Sequence, residues 1–193
     1  MSAKALLYDI SKIDFDHVVA DIDAIRQVNP QRYEMEQLTA IVYESLEEQI
    51  CIGYKDVTTE EFWVRGHMPK MPLMPGIVML EAAAQISAYF AQKYNCLGAK
   101  MIGFGGLEEV RFRDPVIPGD RLILISKRLK ARRGRMIICR FQGVVGARIV
   151  VDGILKGIPI PVDMLSAQRD NGTLGRSEQT DEGGSTRDMP RPG

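Results

Sequence analysis

Between Pro75 and Ala91 the chain runs Pro-Gly-Ile-Val-Met-Leu-Glu-Ala-Ala-Ala-Gln-Ile-Ser-Ala-Tyr-Phe-Ala, helix-forming and apolar on nearly every side. A helix of that kind does not lie on a surface; other structure must enclose it. Pro75 and Gly76 are expected at its first helical positions, where a missing or free backbone N–H costs nothing. Glu81 and Gln85 put polar groups in its middle, four residues apart and so on one face. Because the neighbours of Glu81 are apolar all round, a solvated helix face does not account for it. Just upstream, Pro69, Pro72 and Pro75 stiffen a loop that carries His67. A base in a rigid loop and a carboxylate in an apolar helix outline an acid/base site.

The flanking segments read as the enclosure. Asp21 to Val28, ended by Asn29-Pro30, suits a short covering helix with Ile22, Ile25 and Val28 on its apolar side. Leu38 to Tyr54 holds two β-favouring clusters and reads as one long strand. Beyond the helix, Gly103-Phe104-Gly105-Gly106 reads as a turn before a strand at Leu107 to Phe112. Ile117-Pro118-Gly119-Asp120 opens a strand over Arg121 to Lys130, and Arg133-Gly134 turns into Met136 to Val145. The last strand, Arg148 to Ile160, follows a hairpin at Gly146-Ala147, which matches strand lengths better than one at Asp152-Gly153. Consecutive strands with short turns make an antiparallel sheet, and the class is α+β: a sheet that curls around one long central helix.

The chain has 193 residues, 45% hydrophobic and 26% charged, enough for a single domain over 1–165. From 166 to 193 the composition turns to Asp, Gly, Ser, Thr, Gln, Arg and Pro, which cannot bury enough surface to offset ordering entropy and reads as a disordered polar tail. Lys plus Arg equals Asp plus Glu at 25 each, so no overall field favours nucleic acid or an anionic membrane. Cys51, Cys96 and Cys139 lack metal spacing and suit reduced thiols. No signal peptide or membrane span is legible, and a cytoplasmic location is expected.

Gly66-His67-Met68-Pro69, Met74-Pro75-Gly76-Ile77 and Glu81-Ala82-Ala83-Ala84-Gln85, with fourteen residues from His67 to Glu81, resemble the signature of the hotdog-fold (3R)-hydroxyacyl-acyl carrier protein dehydratases of FabZ type. Glu109-Val110-Arg111-Phe112-Arg113, Pro118-Gly119-Asp120, Arg132-Arg133-Gly134, Gln31-Arg32-Tyr33 and Val57 to Phe62 are similar to other segments of that family, so the resemblance spans residues 20 to 162. It implies a hotdog fold and a lyase of fatty acid biosynthesis that converts (3R)-3-hydroxyacyl to trans-2-enoyl thioesters. It also implies no metal or redox cofactor, an acyl carrier protein as partner, and a homodimer with shared active sites that can assemble to a hexamer. Three departures stand out: Met68 for phenylalanine, Lys70 for glycine, and Gln31 where histidine is frequent.

The chemistry removes a proton from carbon 2, expels the carbon 3 hydroxyl as water and stabilises enolate charge between. His67 suits the base, since an imidazole titrates near neutrality. Glu81 suits the acid, because an apolar enclosure disfavours the ionised carboxylate and keeps a proton for the leaving group. By the resemblance, the Gly76 N–H polarises the thioester carbonyl, aided by the positive end of the helix. Gln85 would orient Glu81, which His67 would meet across the dimer. Met68 and Pro75 are expected to line the substrate site; Met68, Met71, Met74 and Met79 read first as generic core, with an adaptable acyl tunnel as the alternative. A thioesterase on the same fold and a carrier-binding subunit without turnover are the rival readings.

Overall fold

A computed structural model describes residues 5–162; the expected tail at 166–193 lies outside the described residues. Helix α1 (Ile22–Val28) begins where the Asp21 side chain accepts from the Ala24 N–H at 2.9 Å, a side-chain N-cap. Leu38 to Tyr54 is not one strand but a hairpin, β1 (Ala40–Ser45) and β2 (Ile50–Asp56). Its turn has neither glycine nor proline; Gln49 takes the left-handed conformation (φ 61°), and that is why the chain reverses where composition gives no break.

Helix α2 spans Gly76–Lys93, with Pro75 as an extended N-cap residue rather than the first helical one. Strand β3 is Ile102–Phe112, and it corrects the expected turn at Gly103 to Gly106, which is strand throughout. Those glycines serve close packing: a Cβ on Gly103 would lie 2.6 Å from Ile160 Cδ1, and one on Gly105 would lie 2.6 Å from Ile158 Cγ2. Strands β4 (Arg121–Arg132), β5 (Met136–Val145) and β6 (Arg148–Pro159) follow as expected, with the hairpin at Gly146-Ala147.

The six strands form one antiparallel sheet in the order β1-β2-β4-β5-β6-β3, so β1 and β3 are its edges. From residue 5 to residue 160 the chain is one compact unit. The period-2 alternation of strands sorts the side chains onto two faces. Ile41, Cys51, Leu122, Leu124, Phe141 and Val151 point to the α2 side, where Val78, Met79, Ala82, Ala83, Ile86 and Phe90 meet them. This is the curved sheet around a central helix that a hotdog fold requires. Ile50, Ile52, Tyr54, Ile123 and Ile125 point the other way, and there Leu6, Leu7, Tyr8, Ile10, Ile13 and Phe15 of the N-terminal segment cover them. Among the described residues no helix is long and apolar enough to cross a membrane.

Candidate active site

Glu81 stands on the side of α2 that the sheet covers least. Ile77, one turn earlier, is 76% exposed, and Ala84 and Ala88 on the same side are half-buried. Two side-chain amides converge on its Oε1: Gln85 Nε2 at 2.8 Å and Gln31 Nε2 at 3.2 Å. Gln85 is buried and fully engaged, its Nε2 also donating to the Met35 carbonyl at 2.7 Å and its Oε1 accepting from the Gln37 N–H at 2.9 Å. Asn29 Nδ2 donates to the Gln85 backbone carbonyl at 3.0 Å. The segment from Asn29 to Gln37 is thus laced to α2, and Arg26 clasps it from α1 through paired bonds to Glu36 at 2.7 and 2.8 Å. The hydrogen bonds from Arg26 hold the Glu36 carboxyl below its usual range.

Two cavities meet at Glu81. One of about 110 Å³ runs between α2 and the sheet, lined by Ala84, Ala88, Ile102, Phe104, Ile137 and Leu155 among others. The other, of about 270 Å³, is lined by Met35, Gln37, Phe62, Ile77, Val78 and Glu81. Met68 and Pro75 line neither; Met68 is 45% exposed on the loop, and Pro75 caps the helix. Of the four methionines, Met74 and Met79 are core residues, in keeping with the generic reading, while Met68 and Met71 are exposed.

The His67 loop is tied at both ends. The Trp63 carbonyl accepts from the N–H groups of Gly66 at 3.0 Å and His67 at 2.8 Å, and Met74 N–H donates to Val116 O at 2.8 Å. Trp63 is buried, and a Lys55–Glu61 ion pair at 2.9 Å fixes the turn before it. Between the ties, Met68 and Met71 exchange backbone hydrogen bonds, and Leu73 N–H returns to His67 O at 2.8 Å. The His67 ring sits with Nδ1 2.8 Å from the Leu73 carbonyl. A carbonyl only accepts, so Nδ1 carries the proton and Nε2 of the neutral ring is left as the basic atom. Among the described residues no hydrogen bond joins His67 to Glu81, and His67 lines neither of these cavities.

Gly76 opens α2 beneath an aromatic lid: a Cβ there would fall 2.7 Å from Phe112 Cε1. The helix has no side-chain cap; Val78 and Met79 N–H groups turn back to Pro75 O, and the amides of Gly76 and Ile77 have no partner among the described residues. They are the donors that an oxyanion at this helix end would meet. Among the described residues no group of three or more His, Cys, Asp or Glu side chains stands close enough together to hold a metal ion.

Gln85 beside Glu81 was legible from its i+4 spacing. Gln31, the Leu73 carbonyl and the Trp63 anchor were not, because each depends on a contact that no local pattern announces.

The model of the FabA-like domain family matches residues 29–153. The 3-hydroxyacyl-[acyl-carrier-protein] dehydratase FabZ of Streptococcus gordonii is 34% identical over 135 residues, covering 70% of this chain and 94% of that protein. The protein of the same name from Streptococcus sanguinis is 33% identical over the same shares. Among solved structures, a dehydratase heterocomplex of Xenorhabdus doucetiae aligns with a TM-score of 0.61 at 13% identity, covering 75% of this chain and 96% of that one. A sigma28-regulated virulence protein of Campylobacter jejuni aligns with a TM-score of 0.56 at 16% identity, covering 73% and 91%. At those identities the two structures speak for the fold alone.

Proposed function

The chain belongs to the FabA-like family and, within it, to the FabZ-type 3-hydroxyacyl-acyl carrier protein dehydratases, and on that premise we propose that Glu81 and His67 are the acid and base of its hydro-lyase reaction. The observation that carries the assignment is the Glu81 carboxyl, pinned by two amides on an otherwise apolar helix where two cavities meet. The substrate is a 3-hydroxyacyl thioester of fatty acid biosynthesis, presented on an acyl carrier protein. Nε2 of His67 takes the proton from carbon 2, and the freed electron pair forms the double bond to carbon 3. The carbon–oxygen bond at carbon 3 breaks, and the hydroxyl leaves as water with the proton of Glu81. The imidazolium and carboxylate reset by exchange with solvent. Charge that builds on the thioester oxygen is met by the uncapped amides at the start of α2.

In this reading two chains of a homodimer share each site, with His67 of the partner subunit facing Glu81. Three facts support it: among the described residues no hydrogen bond joins His67 to Glu81, β3 is a sheet edge, and Phe104, Leu107, Phe112 and Ile77 are 46%, 40%, 52% and 76% exposed around that edge and the start of α2.

The test follows the absorbance of a trans-2-enoyl thioester as it is hydrated. Wild type should turn over, while His67→Ala and Glu81→Gln should each lose roughly 10²- to 10⁴-fold in kcat. Mixing the two inactive variants should restore activity in heterodimers, which carry one intact site. Full activity in either single variant sinks that residue's role, and release of free thiol in place of hydration sinks the dehydratase reading.

A further inference from the structure

Gln31 lies in the segment between α1 and β1, fifty residues from Glu81, yet its Nε2 reaches Glu81 Oε1 at 3.2 Å. The direction of that bond follows from the surroundings. The same oxygen already accepts from Gln85 at 2.8 Å and, on the carboxylate, can only accept, so turning the Gln31 amide over would then set two acceptors against each other. In the direction observed, Gln31 Oε1 is buried without a partner among the described residues, and Gln31 borders a cavity of about 10 Å³ together with Asn29, whose Oδ1 is buried in the same condition. A space of that size admits one water, the kind of donor a buried acceptor takes.

We propose that Gln31 is a second positioning residue for the acid, and that Gln31 and Gln85 together decide which carboxyl oxygen carries the transferable proton. With both amides donating to Oε1, that atom serves as the acceptor oxygen, and the proton resides on Oε2, the oxygen left free to face the substrate. When the proton leaves with the hydroxyl, both N–H groups remain on the carboxylate that forms, and charge-assisted bonds are about twice as strong as neutral ones. Gln31 touches no reacting atom; it acts through Glu81. The inference rests on the dehydratase reading for its catalytic consequence and on geometry alone for the hydrogen bond.

Two measurements separate these. In proton–nitrogen NMR spectra of the wild-type protein, the Gln31 side-chain NH₂ pair, assigned by its loss in Gln31→Met, should stand apart from exposed glutamines and move in Glu81→Ala. A pair at the exposed position that ignores Glu81→Ala overturns the proposal, whatever the activity. In the hydration assay, Gln31→Met should lower kcat roughly 10- to 100-fold with KM within about twofold, and Gln31→His, which returns a ring N–H at similar reach, should recover most of it. Equal losses in Gln31→Met and Gln31→His, or a change confined to KM, also overturn it. An inactive wild type with the NMR coupling present refutes the dehydratase reading and leaves the Gln31–Glu81 bond standing.

Discussion

Gln85 donates to Oε1 of Glu81 across 2.8 Å from one helical turn away, and the same amide holds the Met35 carbonyl and the Gln37 N–H. One buried side chain thus fixes the acid and fastens the segment that covers it.

Replacing Gln85 by Met keeps the side-chain length and removes all three bonds. The Gln37 N–H loses its partner in a buried setting, at about 1 to 3 kcal/mol, and the more exposed Met35 carbonyl loses a bond worth about 1 kcal/mol. Gln85→Met should therefore lower unfolding free energy by about 2 to 4 kcal/mol in urea, and kcat should fall as well. Because Gln31 and Gln85 share one acceptor atom, a double-mutant cycle on kcat with Gln31→Met should be non-additive. Strict additivity would show that the two amides act on different things.

Gly76 should separate stability from activity. A Cβ there would sit 2.7 Å from Phe112 Cε1, at the far end of a side chain that a small shift of the ring can clear. Alanine is also the better helix former by up to about 1 kcal/mol. Gly76→Ala should therefore leave the melting temperature nearly unchanged while kcat/KM drops roughly 10- to 1000-fold, since the methyl crowds the amide that receives the thioester oxygen. Wild-type turnover in Gly76→Ala would remove that amide from the mechanism.

The extent to which the sequence announces this molecule follows from the range of the interactions involved. Helix α2 was legible because a run apolar on nearly every side, with a proline-glycine start, admits one interpretation, and its i+4 pair, Glu81 and Gln85, needed only helical geometry. The β5–β6 hairpin at Gly146-Ala147 was legible from strand length. The β1–β2 hairpin was not, because Gln49 supplies the left-handed turn residue that glycine or asparagine ordinarily signals. Glycines at 103, 105 and 106 suggested a turn for the converse reason: their small size serves packing beneath Ile158 and Ile160 and a bulge, which only the paired strand reveals. Gln31 stood out only as a departure from a familiar motif, with its contact to Glu81 hidden by fifty residues of separation.

The three thiols should differ sharply in reactivity. Burial pushes the Cys51 thiol well up, and it pushes Cys139 up to about 12 despite hydrogen bonds from Ser126 and Ser87. The thiolate is the nucleophile, so neither should react at pH 8 in the folded protein. Cys96 is half-buried, with the Arg128 guanidinium 2.6 Å from its sulfur. Titration with a thiol-specific disulfide reagent should therefore label one cysteine natively and three in denaturant. Rapid native labelling of Cys51 or Cys139 would contradict the burial described.

The N-terminal segment should be part of the fold rather than an appendage. Leu6, Leu7, Tyr8, Ile10, Ile13 and Phe15 cover the sheet face opposite α2. Gln142, buried at 1% exposure, clamps the segment by accepting from Leu7 N–H at 2.7 Å and donating to Ala5 O at 3.0 Å. The Tyr8 ring lies 5.0 Å from that of Tyr43, and Phe15 packs edge-on against Tyr54 at 6.3 Å. Deleting residues 1–15 would leave Ile50, Ile52, Ile123 and Ile125 facing water and strand both polar ends of Gln142. The deletion should lower stability by several kcal/mol and promote aggregation, whereas Gln142→Leu, which removes the clamp but keeps the apolar cover, should cost about 1 to 3 kcal/mol. Both are read by urea denaturation with light scattering. A truncated protein as stable and soluble as the full chain would show that the covered face does not need its cover.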